Sequence, residues 1–404
     1  MSGIASIFAT GAWLTASRIR AYSLILIALA LAALAALLAT SNGLNDYQGR
    51  PLGTDFSNVY AAGKYVLEGK PAAPYDWPLQ HKKEQEIFGV QTPFYGWHYP
   101  PIFLFLAAAL ALFPYLAALA IWQASTLALY LISIRAILPR TEVWLAALAF
   151  PAVFINLAHG HNGFLTAALI GGGLYLLNSR PVAAGILFGL LVYKPQFGVL
   201  IPLALAAGGY WRAFIAASVT VIVLCAAAYF AFGIEAWNAF RESMTLTREI
   251  VLERGDTGFH KIQSVFAAVR LLGGPVALAY AAQGLVFAAV AAALFWLWRS
   301  KKALALKAAT LIAGSMLATP YLLDYDLMIA APAIAFLVAH GLNEGFAPYE
   351  KSALAFVFIA PLLTRAIAEH MLLPLGLIAA ILLLGIALRR AVRDDTALRH
   401  TATT

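Results

Sequence analysis

SNGLNDYQGRPLGTDFSNVYAAGKYVLEGKPAAPYD, residues 41–76, and WHYPPIFLFLAAALALFP, residues 97–114, open and close the one long polar interruption in an apolar chain. The stretch is too polar to lie in lipid and too long for a simple turn. Residues 22–40 before it form one apolar run, and apolar runs follow it almost to the C-terminus. A bilayer span needs roughly 20 such residues. Of the 404 residues 62% are apolar and 11% charged, whereas a soluble domain is about half apolar and a quarter charged. The expected class is therefore an all-α polytopic membrane protein. The net charge of +8 is spread between apolar runs with no aromatic-interleaved basic stripe. It reads as loops anchored at a membrane surface, so membrane lipids are expected partners and nucleic acid is not. The single cysteine, Cys225, lies inside an apolar run, and no zinc-type or disulfide spacing exists around it. No metal and no cofactor is expected.

Arg18 and Arg20 precede the first apolar run, which places the N-terminus in the cytoplasm and residues 41–114 outside. Residues 101–113 are bracketed by Pro100, Pro101 and Pro114, and read as a segment dipping into the outer leaflet. Residues 115–137 then return to Arg135 and Arg140. Alternation from there gives about twelve spans, in a range of roughly 10–13. A second external stretch falls at residues 233–263. No second soluble domain is visible, so residues 1–404 read as one membrane domain.

This sidedness gathers the polar chemistry outside, although no His, Asp or Asn was used to assign it. Thr54-Asp55 starts a helical pattern with Phe56, Val59, Tyr60, Gly63 and Leu67 on one face. Such a face suits a helix lying at the interface. Asp55 there is either an N-cap or a catalytic carboxylate, and one side chain can fill both roles. His98 and Tyr99 precede two prolines, as belt residues or as donors to a substrate hydroxyl or phosphate. His161 and Asn162 follow His159. Histidines two apart do not have the helical spacing of a zinc pair. Lys194-Pro195-Gln196 separates two apolar half-helices. A lysine at that depth either snorkels to the headgroups or meets a phosphate. His260 and Lys261 lie in the second external stretch, at an interface or against a phosphate. Tyr321, Asp324 and Asp326 follow Thr319-Pro320. The two acids either accept sugar hydroxyls or pair with Lys194, Lys261 or Arg270.

The ordered set Asp55-Phe56, Tyr60, Ala62-Gly63, Leu67, Tyr75-Asp76, Tyr99-Pro100-Pro101 and Trp122 resembles glycosyltransferase family 87. His161-Asn162-Gly163, Lys194-Pro195-Gln196 and Thr319-Pro320-Tyr321 with Asp324 and Asp326 also look like this family. Where the family often has Gln before Asn-Gly, this chain has His161. The resemblance implies a GT-C fold with a large first external loop carrying juxtamembrane helices. The key acid of that loop falls on Asp55. The donor would be a polyprenyl-phosphate sugar, usually mannose, and the acceptor a lipid or glycan. The site would face the periplasm or exterior of a bacterial cytoplasmic membrane.

The residues meet the resemblance at the donor. No Gly-rich phosphate loop is present, and nucleotide sugars are cytoplasmic, so an outward-facing transferase needs a sugar already carried across on a lipid. Asp55 would take the acceptor proton, and Lys194, with His260 or Lys261, would meet the departing phosphate. The rival is a transporter or flippase of a lipid-linked sugar, with Lys194-Pro195 as its broken helix.

Overall fold

A computed structural model describes residues 3–401 of the protein. Among the described residues there is no strand, only isolated bridges between loops, one of which joins Ile262 to Leu323. Seven helices among the described residues are long and apolar enough to cross a bilayer: Ala16–Ala39, Tyr115–Ile137, Trp211–Arg254, Val276–Arg299, Asp324–Glu344, Glu350–Met371 and Leu375–Arg393. Five shorter apolar helices accompany them: Pro101–Ala111, Gly163–Leu176, Pro181–Tyr193, Pro195–Ala207 and Leu304–Ala318. The protein is an all-α polytopic membrane protein.

Burial divides these helices. In Ala16–Ala39 only Ser23 is buried, so its Leu and Ile side chains face outward, where only lipid suits them. In Leu304–Ala318 every residue from Leu306 onward is buried. Its fifteen residues rise only about 22 Å, less than the roughly 30 Å hydrocarbon core. Leu304–Ala318 therefore packs inside the bundle, whereas Pro181–Tyr193, with Val182 55% and Ile186 44% exposed, keeps one face outward.

Several helix ends are set by proline and glycine. Phe150-Pro151 splits Val143–Ala149 from Pro151–His159, because proline removes a helical donor and restricts the residue before it. Lys194 sits between Leu191–Tyr193 and Pro195–Gly198, the broken helix expected from Lys-Pro. Gly233, with φ 76° and ψ 170°, kinks Trp211–Thr247, and the chain stays helical to Arg254. Much of the stretch after residue 233, read from sequence as a loop, is thus helix.

Residues 41–114 are folded tightly. Helix Thr54–Leu67 buries Phe56 to Gly63 and Tyr65, so it is enclosed on more than the one face its periodicity indicated. Gly63 explains part of this. A Cβ there would lie 2.1 Å from the Ala107 carbonyl oxygen, so only glycine lets Thr54–Leu67 lie directly on Leu104–Ala111. Asp76 caps Trp77–Phe88 by accepting the Leu79 N–H at 3.0 Å.

Glu84, inside Trp77–Phe88, is wholly buried. Its Oε2 accepts the Tyr95 N–H at 3.0 Å, and Oε1 has no partner. Burial pushes its carboxyl up to about 9, against the lowering pull of the Tyr95 N–H. The unfolded chain releases this proton near 4.5. Between those values the folded protein holds a proton that the unfolded chain has lost. Stability therefore falls as pH rises through that window, by roughly 1.4 kcal/mol per unit. Glu84→Gln removes the titration and keeps an acceptor for Tyr95. Thermal melts in detergent should coincide with the parent near pH 4.5 and lie progressively higher toward pH 8. Parallel curves across that range would show that Glu84 is ionised in the folded protein.

Candidate functional site

Four chain breaks and one span supply a single polar group. Asp55 comes from the first turn of Thr54–Leu67. His159, His161 and Asn162 come from the break between Pro151–His159 and Gly163–Leu176. Lys194 comes from its helix break, Asp324 to Asp326 from the start of Asp324–Ile329, and Arg365 from Glu350–Met371.

Asn156 ties two of these breaks together. Its Nδ2 donates to the Ala152 and Tyr325 carbonyls at 2.8 and 3.0 Å. Its Oδ1 accepts the Gly163 N–H at 3.0 Å. Gly160, with φ 64°, makes the turn, and a Cβ on it would meet the Phe56 Cβ at 2.6 Å. This close approach sets His159 beside the Asp55 helix, with Thr54 Oγ1 2.7 Å from His159 Nδ1. The His161 ring stacks on Tyr325, centroids 3.6 Å apart.

The N-cap of Thr54–Leu67 is Gly53, in the left-handed region at φ 70°. Asp55 is therefore not the cap, as its sequence position suggested; it lies one residue inside the helix and accepts no capping bond. Its Oδ2 is buried without a hydrogen-bond partner. Burial pushes its carboxyl above the ordinary range, with Asp324 adding to the rise, while His159, Lys194 and Arg365 pull it down.

The two acids each hold a cation. Asp326 Oδ1 accepts Lys194 Nζ at 2.6 Å, and Oδ2 accepts the Leu323 N–H at 3.2 Å. Asp324 Oδ2 accepts Arg365 Nε at 2.7 Å, and Oδ1 accepts the Tyr325 N–H at 3.0 Å. Of the partners expected from sequence, Lys194 is found. Arg270 instead donates to the Gly274 and Glu253 carbonyls, and Lys261 pairs with neither acid. Lys194 Nζ also lies 3.3 Å from His161 Nε2. An ammonium can only donate, so Nε2 accepts and the neutral ring carries its proton on Nδ1. That Nδ1 has no partner, nor has Asn162 Oδ1. Asn162 Nδ2 donates to the Tyr99 hydroxyl at 2.6 Å. Tyr99 continues into an aromatic wall with Phe103 and Tyr193, at 4.6 Å and 6.4 Å.

The bonds and packing of Tyr60, His98 and Tyr321 lie outside this group. Tyr60 donates to the Phe113 carbonyl at 2.9 Å and packs edge-on against Tyr115, a core role. His98 Nδ1 meets Thr247 Oγ1 at 2.9 Å, which ties the first loop to the kinked helix. Tyr321 packs on Leu252, Phe266 and Ala279. No hydrogen bond or ion pair among the described residues joins the side chains of Gln196, His260 or Lys261 to the Asp55 group. The second loop reaches the acids through backbone, with Gln263 N–H donating to the Leu322 carbonyl at 2.6 Å.

Among the described residues no group of three or more His, Cys, Asp and Glu side chains is placed to hold a metal ion. The group instead offers a base, two buried polar atoms without partners, two cations and an aromatic wall. That inventory suits a polar, hydroxylated ligand.

No curated protein and no solved structure matches the chain. The family description "glycosyltransferase family 87" matches residues 97–320, more than half of the chain. The match covers His161, Asn162 and Lys194, and leaves Asp55, Asp324, Asp326 and Arg365 outside it. With that match added to the helical membrane architecture, the chain belongs to glycosyltransferase family 87.

Proposed function

We propose that the protein transfers a hexose, mannose by the family resemblance, from a polyprenyl-phosphate donor to a lipid or glycan acceptor at the outer face of a bacterial cytoplasmic membrane. The observation that carries this is the buried Asp55 Oδ2 without a partner, among cations and unpartnered polar atoms, in a family 87 chain. A carboxyl pushed above its ordinary range is a stronger base once ionised. Asp55 takes the proton of the acceptor hydroxyl. The acceptor oxygen then bonds to the anomeric carbon, and the bond from that carbon to the phosphate oxygen breaks. Polyprenyl phosphate departs with the electron pair. One displacement inverts the anomeric centre, so a β-linked donor gives an α product.

The unpartnered His161 Nδ1–H and Asn162 Oδ1 are a donor and an acceptor for sugar hydroxyls, and leaving them unmet is costly without a ligand. Lys194 is buried and already countered by Asp326. Its role is to hold that acid and to fix the His161 ring.

The test is transfer by purified protein in vesicles given radiolabelled polyprenyl-phosphate mannose or a nucleotide mannose, with a membrane lipid extract as acceptor. Label should pass into a new glycosidic product from the lipid-linked donor alone. Label that crosses the membrane without a new glycosidic bond would support a flippase instead.

A further inference from the structure

We infer that the guanidinium of Arg365 receives the phosphate of the lipid-linked donor. This rests on the proposed reading that the donor is a polyprenyl phosphate. Two cations reach the Asp55 group. Lys194 is 5% exposed, and its Nζ is engaged by Asp326 and His161. Arg365 makes one bond, Nε to Asp324 Oδ2. Its Nη1 and Nη2 meet no partner among the described residues, and 38% of its side chain is open. A guanidinium edge with two free nitrogens matches two phosphate oxygens.

Both ends of this arrangement are anchored. Asp324 is 3% exposed and held by the Tyr325 N–H. Thr364, the neighbour of Arg365, donates to Gln263 Oε1 at 2.9 Å and accepts the Gly376 N–H at 2.8 Å. Gln263 is wholly buried and bonded to the Leu322 carbonyl. One buried hub therefore fixes both the loop that carries Asp324 and the helix turn that carries Arg365.

The surroundings suit an amphiphile. Arg365 lies in the last two turns of Glu350–Met371, near a span end rather than mid-membrane. Leu362 and Leu363 beside it are 52% and 46% exposed. A phosphate on Arg365 would leave an isoprenoid tail free to run along that apolar flank. Asp324 acts behind it as a positioning residue.

The experiment measures binding of tritiated undecaprenyl phosphate to the full chain in lipid nanodiscs, with undecaprenol as the uncharged control. Arg365→Gln should weaken phosphate binding about 10- to 100-fold and leave undecaprenol binding unchanged. Since that change strands Asp324, the paired variant Arg365→Gln/Asp324→Asn is measured beside it, with the same loss expected. Binding that survives in both variants overturns the assignment of Arg365 and leaves the donor reading standing. A parent protein that binds no undecaprenyl phosphate overturns both. Inorganic phosphate or phosphatidic acid should fail to displace the probe at equal concentration. Equal displacement by either would make Arg365 a general phosphate or headgroup site and overturn its assignment to the donor.

Discussion

Asp55→Asn should lower transfer about 10²–10⁴-fold, the usual contribution of a general base, and leave the protein at least as stable as the parent. Asparagine keeps the shape and removes the basic lone pairs. No hydrogen bond is lost, because Oδ2 has no partner. The carboxyl is pushed up by burial, so its ionised form is the costly one once pH exceeds the ordinary value. Neutralising it at pH 7 removes that cost. Lower activity with equal or higher melting temperature is the combination expected of a residue kept for chemistry. The same shift places the acid limb of kcat/KM above the ordinary carboxylate range, with activity rising as pH rises through it. Transfer by Asp55→Asn within a few-fold of the parent would move the base elsewhere in the group.

Lys194→Met should be among the most destabilising single changes at the site. It strands Asp326, whose side chain is 2% exposed, and breaking a buried pair from one side costs about 3–5 kcal/mol. It also removes the partner of His161 Nε2. The paired variant Lys194→Met/Asp326→Leu replaces both charges with apolar groups, which is often neutral for a buried pair. Thermal melts of the two single variants and the pair should therefore show strong coupling, with most stability regained in the pair. Additive losses would mean that the two side chains do not share one interaction.

Membrane class was legible because the bilayer demands long apolar runs, and few other arrangements tolerate them. That the Asp324/Asp326 acids would be paired, one of them with Lys194, was legible for a related reason: charge at depth needs a partner. Lys194 was even among the partners named for the acids. Arg365 was passed over because it sits inside a run that counts as a span by length. The rule that flagged Lys194 applies equally to it. Its partner Asp324 is 41 residues away, a contact no local pattern encodes.

Other misreadings have local causes. Asp is a favoured cap, and nothing in Gly53-Thr54-Asp55 says which residue stands at the cap. The left-handed backbone of Gly53 decides it. The burial of Thr54–Leu67 depends on Leu104–Ala111 closing over Gly63, a tertiary contact that overrides the one-faced periodicity. Sequence did not reveal that His98 and Tyr60 fasten the first loop, His98 to Thr247 and Tyr60 to the Phe113 carbonyl. Asn156 and Gln263, which hold the site together, are ordinary polar residues at the ends of apolar runs, and only the bonds they make mark them.

The most direct measurement is the side of the membrane on which the Asp55 segment lies. Val90, in the same segment, is 78% exposed. A Val90→Cys variant with Cys225 replaced by serine can be treated with a membrane-impermeant maleimide in intact spheroplasts and after permeabilisation. Full labelling before permeabilisation is the expected result. Labelling that appears only afterwards would put Asp55 in the cytosol, where a lipid-carried outer-leaflet donor never arrives.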